Sequence, residues 1–267
     1  MSCENEKDEK MSQKLAYLSS KCHQAWPSNG LDRLFALFII ILISPIFLLT
    51  ALLIYLQDRQ HPFHIAPRVG KDGRLFNMIK LRSMVKNGDA FNVAITANDD
   101  QRITWIGKWV RHLKLDEFGQ LMNVIKGDMA LVGPRPQMLC EVERYTDIER
   151  TMLHMKPGIT DISSIVFADQ GDIFDGDPNP SLTYNRVMRP WKSRLAILYM
   201  ANRSFKLDMC LLFFTFTNIF ARRWTLKRLT AIVEKFEDCD VPKSIILRET
   251  ALFPHPPPGS DKVVEKL

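Results

Sequence analysis

The chain has 267 residues, of which 46% are hydrophobic and 25% charged, so it can build a sizeable core and is not disordered as a whole. Its five cysteines are scattered and form no Cys-x-x-Cys pair, which excludes a disulfide framework and favours reduced thiols in a protein that faces the cytosol. The net charge of +6 suggests a partner such as a nucleic acid, a phosphate ligand or an anionic membrane surface.

An uncharged run of 23 residues, Leu34–Leu56, follows a polar segment over residues 1–30. A run of this length predicts a membrane helix over residues 31–58, because helices of soluble proteins are seldom apolar on every side. Ser44 and Pro45 stand in its middle, and proline kinks or breaks a helix. We expect the Ser44 hydroxyl to bond a backbone carbonyl that the proline frees. The pattern leaves two alternatives open, a kinked helix that spans the bilayer and two half-helices that enter and leave by the same face.

A basic window, residues 59–86, follows the apolar run directly. It holds seven Lys or Arg residues and one Asp, an excess of six charges that equals the net charge of the whole chain. Basic residues beside a membrane helix indicate the cytoplasmic side, so we expect the following domain to face the cytoplasm and to bind membrane lipids. A nucleic-acid surface would interleave aromatic residues with the basic ones, and this window has only Phe63 and Phe76. We therefore expect no nucleic-acid partner.

Residues 65–84 predict a β-hairpin, because Asp72-Gly73 between two short apolar runs is a strong type I′ turn signal. Lys80 and Arg82 alternate in phase on the second strand and project from one face. Both are candidate phosphate ligands, although the same pattern also fits a solvated face of a strand.

Residues 115–126 predict a helix, because apolar residues recur there at spacings of three and four. Asp116 and Glu117 lie at its start, where free backbone N–H groups favour phosphate. Two adjacent carboxylates suit diphosphate chemistry, in which one attacks phosphorus and the other holds Mg²⁺. The alternative is that Asp116 only caps the helix.

Arginine and proline residues flank this helix in the sequence. Arg111 precedes it, and Arg135 stands between Pro134 and Pro136 further on. Guanidinium groups clamp phosphoryl oxygens through paired hydrogen bonds, so both arginines are candidate phosphate or substrate ligands, and the prolines brace the loop.

The C-terminal third carries less chemistry. Residues 168–192 predict a long loop with four aspartates, and residues 194–220 predict apolar helices. Residues 240–267 are rich in proline, and we expect this tail to be poorly ordered.

These segments together resemble the monotopic phosphoglycosyl transferases, bacterial sugar transferases that prime glycan assembly on polyprenyl phosphate. The matching stretches occur in the family's order over about residues 31–215: LDRLFALFIIILISPIFLLTALLIYL, RVGKDGRLFNMIKLRSM, RITWIGKWVRHLKLDEFGQLMNVIKGDMALVGPRP, MKPGIT and RPWKSRLAILYMANRSFKLD. The block that runs from LDE through KGDM to LVGPRP is long and specific.

The resemblance implies an α/β fold, mostly helical with a small sheet, that lies on the membrane behind a re-entrant helix broken at Ser44-Pro45. It divides the chain into that helix, a catalytic domain over residues 59–215 and a basic, then Pro-rich, extension over residues 216–267. It places the protein at the bacterial inner membrane with the catalytic domain in the cytoplasm. The partners that it implies are a UDP-sugar and polyprenyl (undecaprenyl) phosphate.

The implied reaction moves a sugar 1-phosphate from the UDP-sugar to the polyprenyl phosphate, releases UMP and initiates the assembly of a glycan. It runs through a covalent phosphosugar on the aspartate that corresponds to Asp116. Glu117 corresponds to the Mg²⁺-binding partner, with Asp116 beside the metal, and Arg111 to a phosphate-binding arginine. The Pro134-Arg135-Pro136 stretch corresponds to a loop that contacts the nucleotide. We expect the loop over residues 168–192 to select the sugar, although its sequence does not identify which one.

The chain departs from the family pattern at three places. The stretch that ends at Arg68 reads HIAPR, where the family usually has a Gln-rich strand. Gly119 stands where the family usually has proline, and we expect a looser first turn around the two carboxylates. The chain beyond about residue 220 has no counterpart in the pattern. The last two departures motivate an alternative, a catalytically silent scaffold on the membrane. A further alternative is a single-pass protein with residues 1–33 outside the cytoplasm. The 23-residue run is long enough to span the bilayer, and the five basic and five acidic residues before it choose no side.

Overall fold

The computed structural model describes residues 28–85, 100–236 and 239–266, so residues 1–27 of the predicted polar segment lie outside it. The described part is mostly helical with two small sheets, which confirms the predicted fold class. The helices are α1 (Ser28–Asp58), α2 (Trp105–His112), α3 (Gln120–Lys126), α4 (Leu139–Val142), α5 (Asp147–Arg150), α6 (Ile162–Val166), α7 (Gln170–Ile173), α8 (Pro180–Thr183), α9 (Arg189–Ala201), α10 (Phe205–Phe220), α11 (Arg222–Val233) and α12 (Lys243–Ile246). The strands are β1 (Phe63–Val69), β2 (Leu75–Leu81), β3 (Ala130–Val132) and β4 (Gly158–Thr160).

Helix α1 is long and apolar enough to cross a membrane, and most of its surface is exposed. It continues without interruption through Ser44 and Pro45, so the predicted division into two half-helices does not show as a gap in the helix. Pro45 has no N–H to donate to the carbonyl of Ile41, one turn earlier. The Ser44 hydroxyl donates to that carbonyl at 2.9 Å instead, which confirms the role predicted for it. This substitute bond explains why the helix continues past a proline.

The predicted hairpin is confirmed, with antiparallel strands β1 and β2 that pair from Phe63 opposite Leu81 to Val69 opposite Leu75. Asp72 and Gly73 have φ angles of 55° and 77°, the positive values that a type I′ turn needs. The second strand ends at Leu81, so Lys80 is its penultimate residue.

The two carboxylates lie on a 3₁₀ turn, Leu115–Gly119, that leads directly into α3, so the predicted helix begins with a tighter first turn. Gly119 is buried against β2, where an added Cβ would lie 2.7 Å from the carbonyl oxygen of Ile79. The absence of a side chain at Gly119 thus lets the turn press against the backbone of β2. This close packing, rather than a looser turn, is the consequence that the structure shows.

The second sheet positions the proline-braced loop. Strands β3 and β4 are parallel, and just beyond β3 the backbones of Gly133 and Gly158 lie so close that a Cβ on Gly158 would meet the Gly133 nitrogen at 2.0 Å. The Gly158 N–H donates to the carbonyl of Pro134 at 3.0 Å. The loop that carries Arg135 is therefore held by backbone contacts with the start of β4.

The C-terminal extension belongs to the main core. Helix α10 runs across residue 216, where the extension was predicted to begin, and Leu229 and Ile245 are buried in the same cluster as Trp191. The prediction of a poorly ordered tail is wrong for residues 239–266, because His255 stacks on Trp191 with ring centroids 4.4 Å apart. The loop predicted over residues 168–192 contains α7, α8 and a π-helical turn, and the side chain of Asn179 caps α8.

Candidate active site

The carboxylates are presented by a strained backbone. Lys114, directly before the 3₁₀ turn, has a φ angle of 56°, a left-handed conformation that costs about 1 kcal/mol for a residue with a side chain. Since Gly119 at the other end of the turn packs on the backbone of Ile79 and Lys80, the turn is held against β2. This packing brings Asp116 and Glu117 close to Lys80. From the sequence, the three residues were linked only because each suits phosphate chemistry.

Glu117 forms an ion pair with Arg135 from the proline-braced loop. Its Oε1 accepts a hydrogen bond from Nη2 of Arg135 at 2.6 Å, and Oε2 accepts a weaker one from Nη1 at 3.4 Å. Burial raises the pKa of Glu117, but the charges of Arg135 and Lys80 outweigh it and lower the pKa to about 2. The charge of Glu117 in turn raises the pKa of Arg135. Both groups are therefore charged at neutral pH.

Asp116 has a different environment. Its Oδ1 is shielded from solvent and accepts no hydrogen bond from any described residue. Burial, followed by the charge of Glu117, raises the pKa of Asp116, while Lys80 and Lys114 oppose that rise. The side chain also caps no helix, which argues against the interpretation of Asp116 as a cap. An enclosed carboxylate oxygen without a partner is poised to meet a ligand.

Lys80 points into the same region from β2. Burial, followed by the charge of Arg135, lowers its pKa, and Glu117 and Asp116 oppose that change. No carboxylate of the described residues lies within ion-pair distance of its Nζ atom. A cation that is close to two carboxylates but bonded to neither suits an anionic substrate.

The other predicted site residues are Arg111, Pro134 and Pro136. Arg111 is half-buried in the last turn of α2, and its charge lowers the pKa of Asp116 only as a minor contribution. Pro134 and Pro136 flank Arg135 and line a small cavity beside it with Val69. This arrangement is compatible with the predicted contact between the loop and a nucleotide.

Arg82 does not join the site, which corrects its interpretation as a phosphate ligand. Its guanidinium donates to both carboxylate oxygens of Asp58, at 2.5 and 2.7 Å, and to the carbonyl of His61 at 2.9 Å. The side chain is only 10% exposed. Arg82 therefore joins the end of α1 to the end of the hairpin. The predicted alternation with Lys80 does not apply to Arg82, because the strand ends at Leu81.

The structure adds Lys192, which the sequence did not single out, together with its contacts Gln170 and Tyr184. Lys192 on α9 donates a hydrogen bond to Oε1 of Gln170 at 2.6 Å, and its Nζ lies 5.6 Å from the ring centroid of Tyr184. Burial, followed by the charge of Arg135, lowers the pKa of Lys192 to about 7. In the sequence, Lys192 was marked only by its place in the RPWKS stretch, which matches the family pattern. No local sequence pattern indicated that this stretch lies near the carboxylates.

The site has a donor set that fits Mg²⁺. The described residues contain no cluster of three or more His, Cys, Asp or Glu side chains. Mg²⁺ commonly uses one or two carboxylates together with substrate oxygens and water, and needs no such cluster. The unpartnered Oδ1 of Asp116 beside Glu117 is compatible with that mode of binding, so the metal remains a prediction for these two residues.

Comparisons with known proteins agree on one family. Residues 23–222 match the family model described as bacterial sugar transferase. The chain is 36% identical over 154 residues to the UDP-N-acetylgalactosamine-undecaprenyl-phosphate N-acetylgalactosaminephosphotransferase of Aeromonas hydrophila, a match that covers 57% of this chain and 36% of that protein. It is 34% identical over 152 residues to the exopolysaccharide production protein ExoY of Sinorhizobium fredii, covering 51% of this chain and 67% of that protein. It is 39% identical over 149 residues to the undecaprenyl-phosphate galactose phosphotransferase of Salmonella typhimurium, covering 48% and 30%. The matches span about a third of the first and third relatives and two thirds of the second.

Proposed function

The chain belongs to the bacterial sugar transferase family, and on that premise we propose that it transfers a sugar 1-phosphate from a UDP-sugar to undecaprenyl phosphate and releases UMP. Two of the relatives described above are phosphotransferases named for undecaprenyl phosphate, and the third is named for exopolysaccharide production. The product would then be the first lipid-linked sugar of a glycan. The sugar itself is left open, because the relatives are named for different sugars.

One observation carries this proposal, the enclosed Oδ1 of Asp116 without a hydrogen-bond partner beside an ion-paired Glu117. In the first step, a carboxylate oxygen of Asp116 attacks the sugar-bearing phosphorus of the donor. An O–P bond forms to Asp116, the P–O bond to the uridine-bearing phosphate breaks, and UMP leaves. Lys80 and Arg135 are placed to bind phosphoryl oxygens, which electrostatically stabilises the charge that moves to the leaving group.

In the second step, a phosphate oxygen of the undecaprenyl phosphate attacks the same phosphorus. The bond to Asp116 breaks, the carboxylate is restored, and the sugar remains joined to the lipid by a diphosphate. Asp116 and Glu117 would hold Mg²⁺, whose chemistry when bound is to neutralise negative charge on phosphoryl oxygens. Because the two carboxylates have pKa values shifted in opposite directions, they suit the two separate roles.

The placement of α1 supports a site at the membrane surface. Near its N-terminal end, Ala36 is fully buried in the main core, and the helix packs against β3. Near its C-terminal end, Ile54 is buried and Asp58 pairs with Arg82. Both ends thus contact the same domain, whereas one end of a spanning helix would lie across the bilayer from it. We infer that α1 enters and leaves by the cytoplasmic face, as a re-entrant helix of the inner membrane.

Exposed aromatic side chains also lie on α2 and α10. Trp105 and Trp109 on α2 are 67% and 65% exposed, and Phe216 and Phe220 on α10 are 64% and 76% exposed. Aromatic side chains favour the interface between lipid and water. The exposed positions on both helices therefore support a domain that rests on the headgroups with its site near the lipid phosphate.

The scaffold alternative receives no support from the described structure. Its motivations were Gly119 and the unmatched extension. Gly119 packs tightly against β2, and the extension is part of the core. Neither feature alters the carboxylates or the cations of the candidate active site.

The experiment is a measurement of UMP release by detergent-solubilised protein with Mg²⁺, undecaprenyl phosphate and a panel of UDP-sugars. Wild-type protein is compared with Asp116→Asn, which keeps the shape of the side chain and removes its nucleophilic charge. We expect release with one or a few sugars, and a loss of at least 1,000-fold in Asp116→Asn.

Intact-mass measurement of the wild type with the active UDP-sugar alone is the second readout. It should show an added phosphosugar that disappears when undecaprenyl phosphate is supplied. Unchanged UMP release in Asp116→Asn would contradict Asp116 as the nucleophile. A folded, membrane-bound protein that turns over no donor would instead favour the scaffold.

A further inference from the structure

We propose that Lys192 is a further substrate-binding residue, whose ammonium group binds the diphosphate of the nucleotide-sugar donor. The inference deepens the proposed function and rests on it for the identity of the donor. Lys192 lies in the second turn of α9, outside the region that the carboxylates, the hairpin and the proline-braced loop occupy in the sequence.

The surroundings of Lys192 leave its charge uncompensated. Its hydrogen-bond partner is the neutral amide of Gln170, and the face of Tyr184 lies on another side. In the described parts of the chain, no carboxylate approaches its Nζ within ion-pair distance. A half-buried ammonium group with only neutral contacts is costly unless an anion joins it.

The charged groups with the largest electrostatic effect on Lys192 come from three other elements. Arg135 from the proline-braced loop and Lys114 before the 3₁₀ turn are cationic, while Glu117 and Asp161 are anionic. Both carboxylates are already engaged, Glu117 by Arg135 and Asp161 by the Ser163 hydroxyl and the Ser164 backbone N–H. Lys114 Nζ donates to the carbonyl of Ala168 at 3.4 Å, two residues before Gln170, so the segment that holds Lys192 adjoins the turn that bears Asp116 and Glu117. With Glu117 and Asp161 engaged, the ammonium group of Lys192 is left to bind a ligand with two adjacent phosphates.

The position of Lys192 favours the donor over the lipid acceptor. Helix α9 packs mainly on α6 and on the π-helical turn before it, whereas α1 packs mainly on α3, β3 and α2. Lys192 and the membrane helix thus approach the carboxylates through different elements. Lys192 is therefore assigned to the soluble substrate, whose phosphoryl oxygens Lys80 and Arg135 also bind in the proposed mechanism.

The alternative is that Lys192 only positions the segment around Gln170. Two substitutions separate these roles. Lys192→Met keeps the aliphatic stem and removes the charge, and Lys192→Arg keeps the charge. Lys243→Met is the matched control, because Lys243 forms an ion pair with Glu234 at the surface, where their side chains are 60% and 48% exposed.

The first experiment measures kcat/KM for each substrate separately, which a double-displacement reaction allows because each value reports one half-reaction. For Lys192→Met we expect kcat/KM for the UDP-sugar to fall about 10- to 100-fold, while kcat/KM for undecaprenyl phosphate changes less than twofold. Lys192→Arg should recover most of the loss, and Lys243→Met should match wild type. An equal fall for both substrates, or a fall for the acceptor alone, would overturn the assignment.

The second experiment measures UDP binding by calorimetry and does not depend on turnover. Wild-type protein in detergent with Mg²⁺ should bind UDP, and Lys192→Met should bind it at least tenfold more weakly at an unchanged melting temperature. Equal binding by both proteins, or no binding by the wild type, would contradict the proposal. If UDP binds through Lys192 and no UDP-sugar is turned over, the transfer reaction fails while the binding assignment stands.

If Lys192→Met lowers the melting temperature, Lys192→Arg distinguishes a phosphate-binding role of Lys192 from a role in positioning Gln170. A folded Arg variant with wild-type kcat/KM for the donor supports a binding role for the charge. A folded Arg variant as impaired as Lys192→Met shows that the side chain positions Gln170 and binds no phosphate.

Discussion

Two adjacent carboxylates acquire different properties because each has a different neighbour. Glu117 is paired with Arg135 and stays ionised, whereas Asp116 keeps an unpartnered oxygen and a raised pKa. The distinction depends on the 3₁₀ geometry that follows Lys114, because it presents one carboxylate to the proline-braced loop and leaves the other open. A single feature of backbone conformation thus separates the ion-paired residue from the proposed nucleophile.

The lowered pKa of Lys192 predicts a pH dependence. Its pKa of about 7 means that the ammonium form dominates below pH 7 and is lost as the pH rises above it. Because only the charged form attracts the diphosphate, we expect kcat/KM for the donor to fall about tenfold between pH 7 and pH 9. Lys192→Arg keeps its charge over this range and should lack the fall. Identical pH profiles for the two proteins would contradict this prediction.

Gly119→Ala tests the packing of the turn. The new Cβ would lie 2.7 Å from the carbonyl oxygen of Ile79, and this backbone cannot yield as a flexible side chain would. We expect a loss of about 1–3 kcal/mol in the free energy of unfolding and a lower kcat, because the turn that bears Asp116 must shift. Urea unfolding and UMP release are the measurements.

Gly30→Ala is the matched control for that substitution. It also lies in a helix, but no atom lies within 4 Å of its added Cβ, so it should be neutral or slightly stabilising. A Gly119→Ala protein as stable and active as Gly30→Ala would show that the contact with β2 is not required.

At the scale of elements, Arg82 and Asp58 join α1 to the hairpin. Arg82→Lys keeps the charge but loses the two parallel hydrogen bonds to Asp58. We expect it to lower the free energy of unfolding by about 1–3 kcal/mol and to leave kcat/KM for the donor within twofold of wild type. Asp58→Asn should behave in the same way. A specific loss of donor kcat/KM at full stability would restore Arg82 as a phosphate ligand.

Two arginines of the extension, Arg222 and Arg248, form ion pairs with Asp169, the residue before α7. Its carboxylate lies 2.9 Å from Nη2 of Arg222 and 3.4 Å from Nε of Arg248. Asp169→Ala leaves both guanidinium groups without this partner, so we expect a loss of about 1–3 kcal/mol in the free energy of unfolding. Lys243→Ala, which breaks only an exposed pair, should cost less than about 0.5 kcal/mol. Equal urea midpoints for the two variants would contradict a structural role for the extension.

The elements that sequence patterns predicted are those with local causes. The hairpin follows from Asp72-Gly73, and the start of the helix at Asp116 follows from spacing within a dozen residues. The partners of Arg82 and Lys192 are 24 and 22 residues away in the chain, and no periodicity reports contacts over such separations. The burial of the tail was missed for the same reason, because its proline content indicates local conformation and says nothing about the surface of Trp191 that it covers.

For the whole molecule, the decisive property is the side of the membrane on which the two ends of α1 lie. Both ends contact the catalytic domain, which predicts that the chain before α1 shares the cytoplasmic side with Cys140, an exposed free thiol of that domain. Proteins with Cys22 or Cys140 as the only cysteine can be treated with a membrane-impermeant maleimide. We expect both to be protected in intact spheroplasts and both to react in inside-out vesicles. Labelling of Cys22 alone in intact spheroplasts would show instead that α1 spans the bilayer, and the re-entrant arrangement would be excluded while the carboxylate chemistry stood.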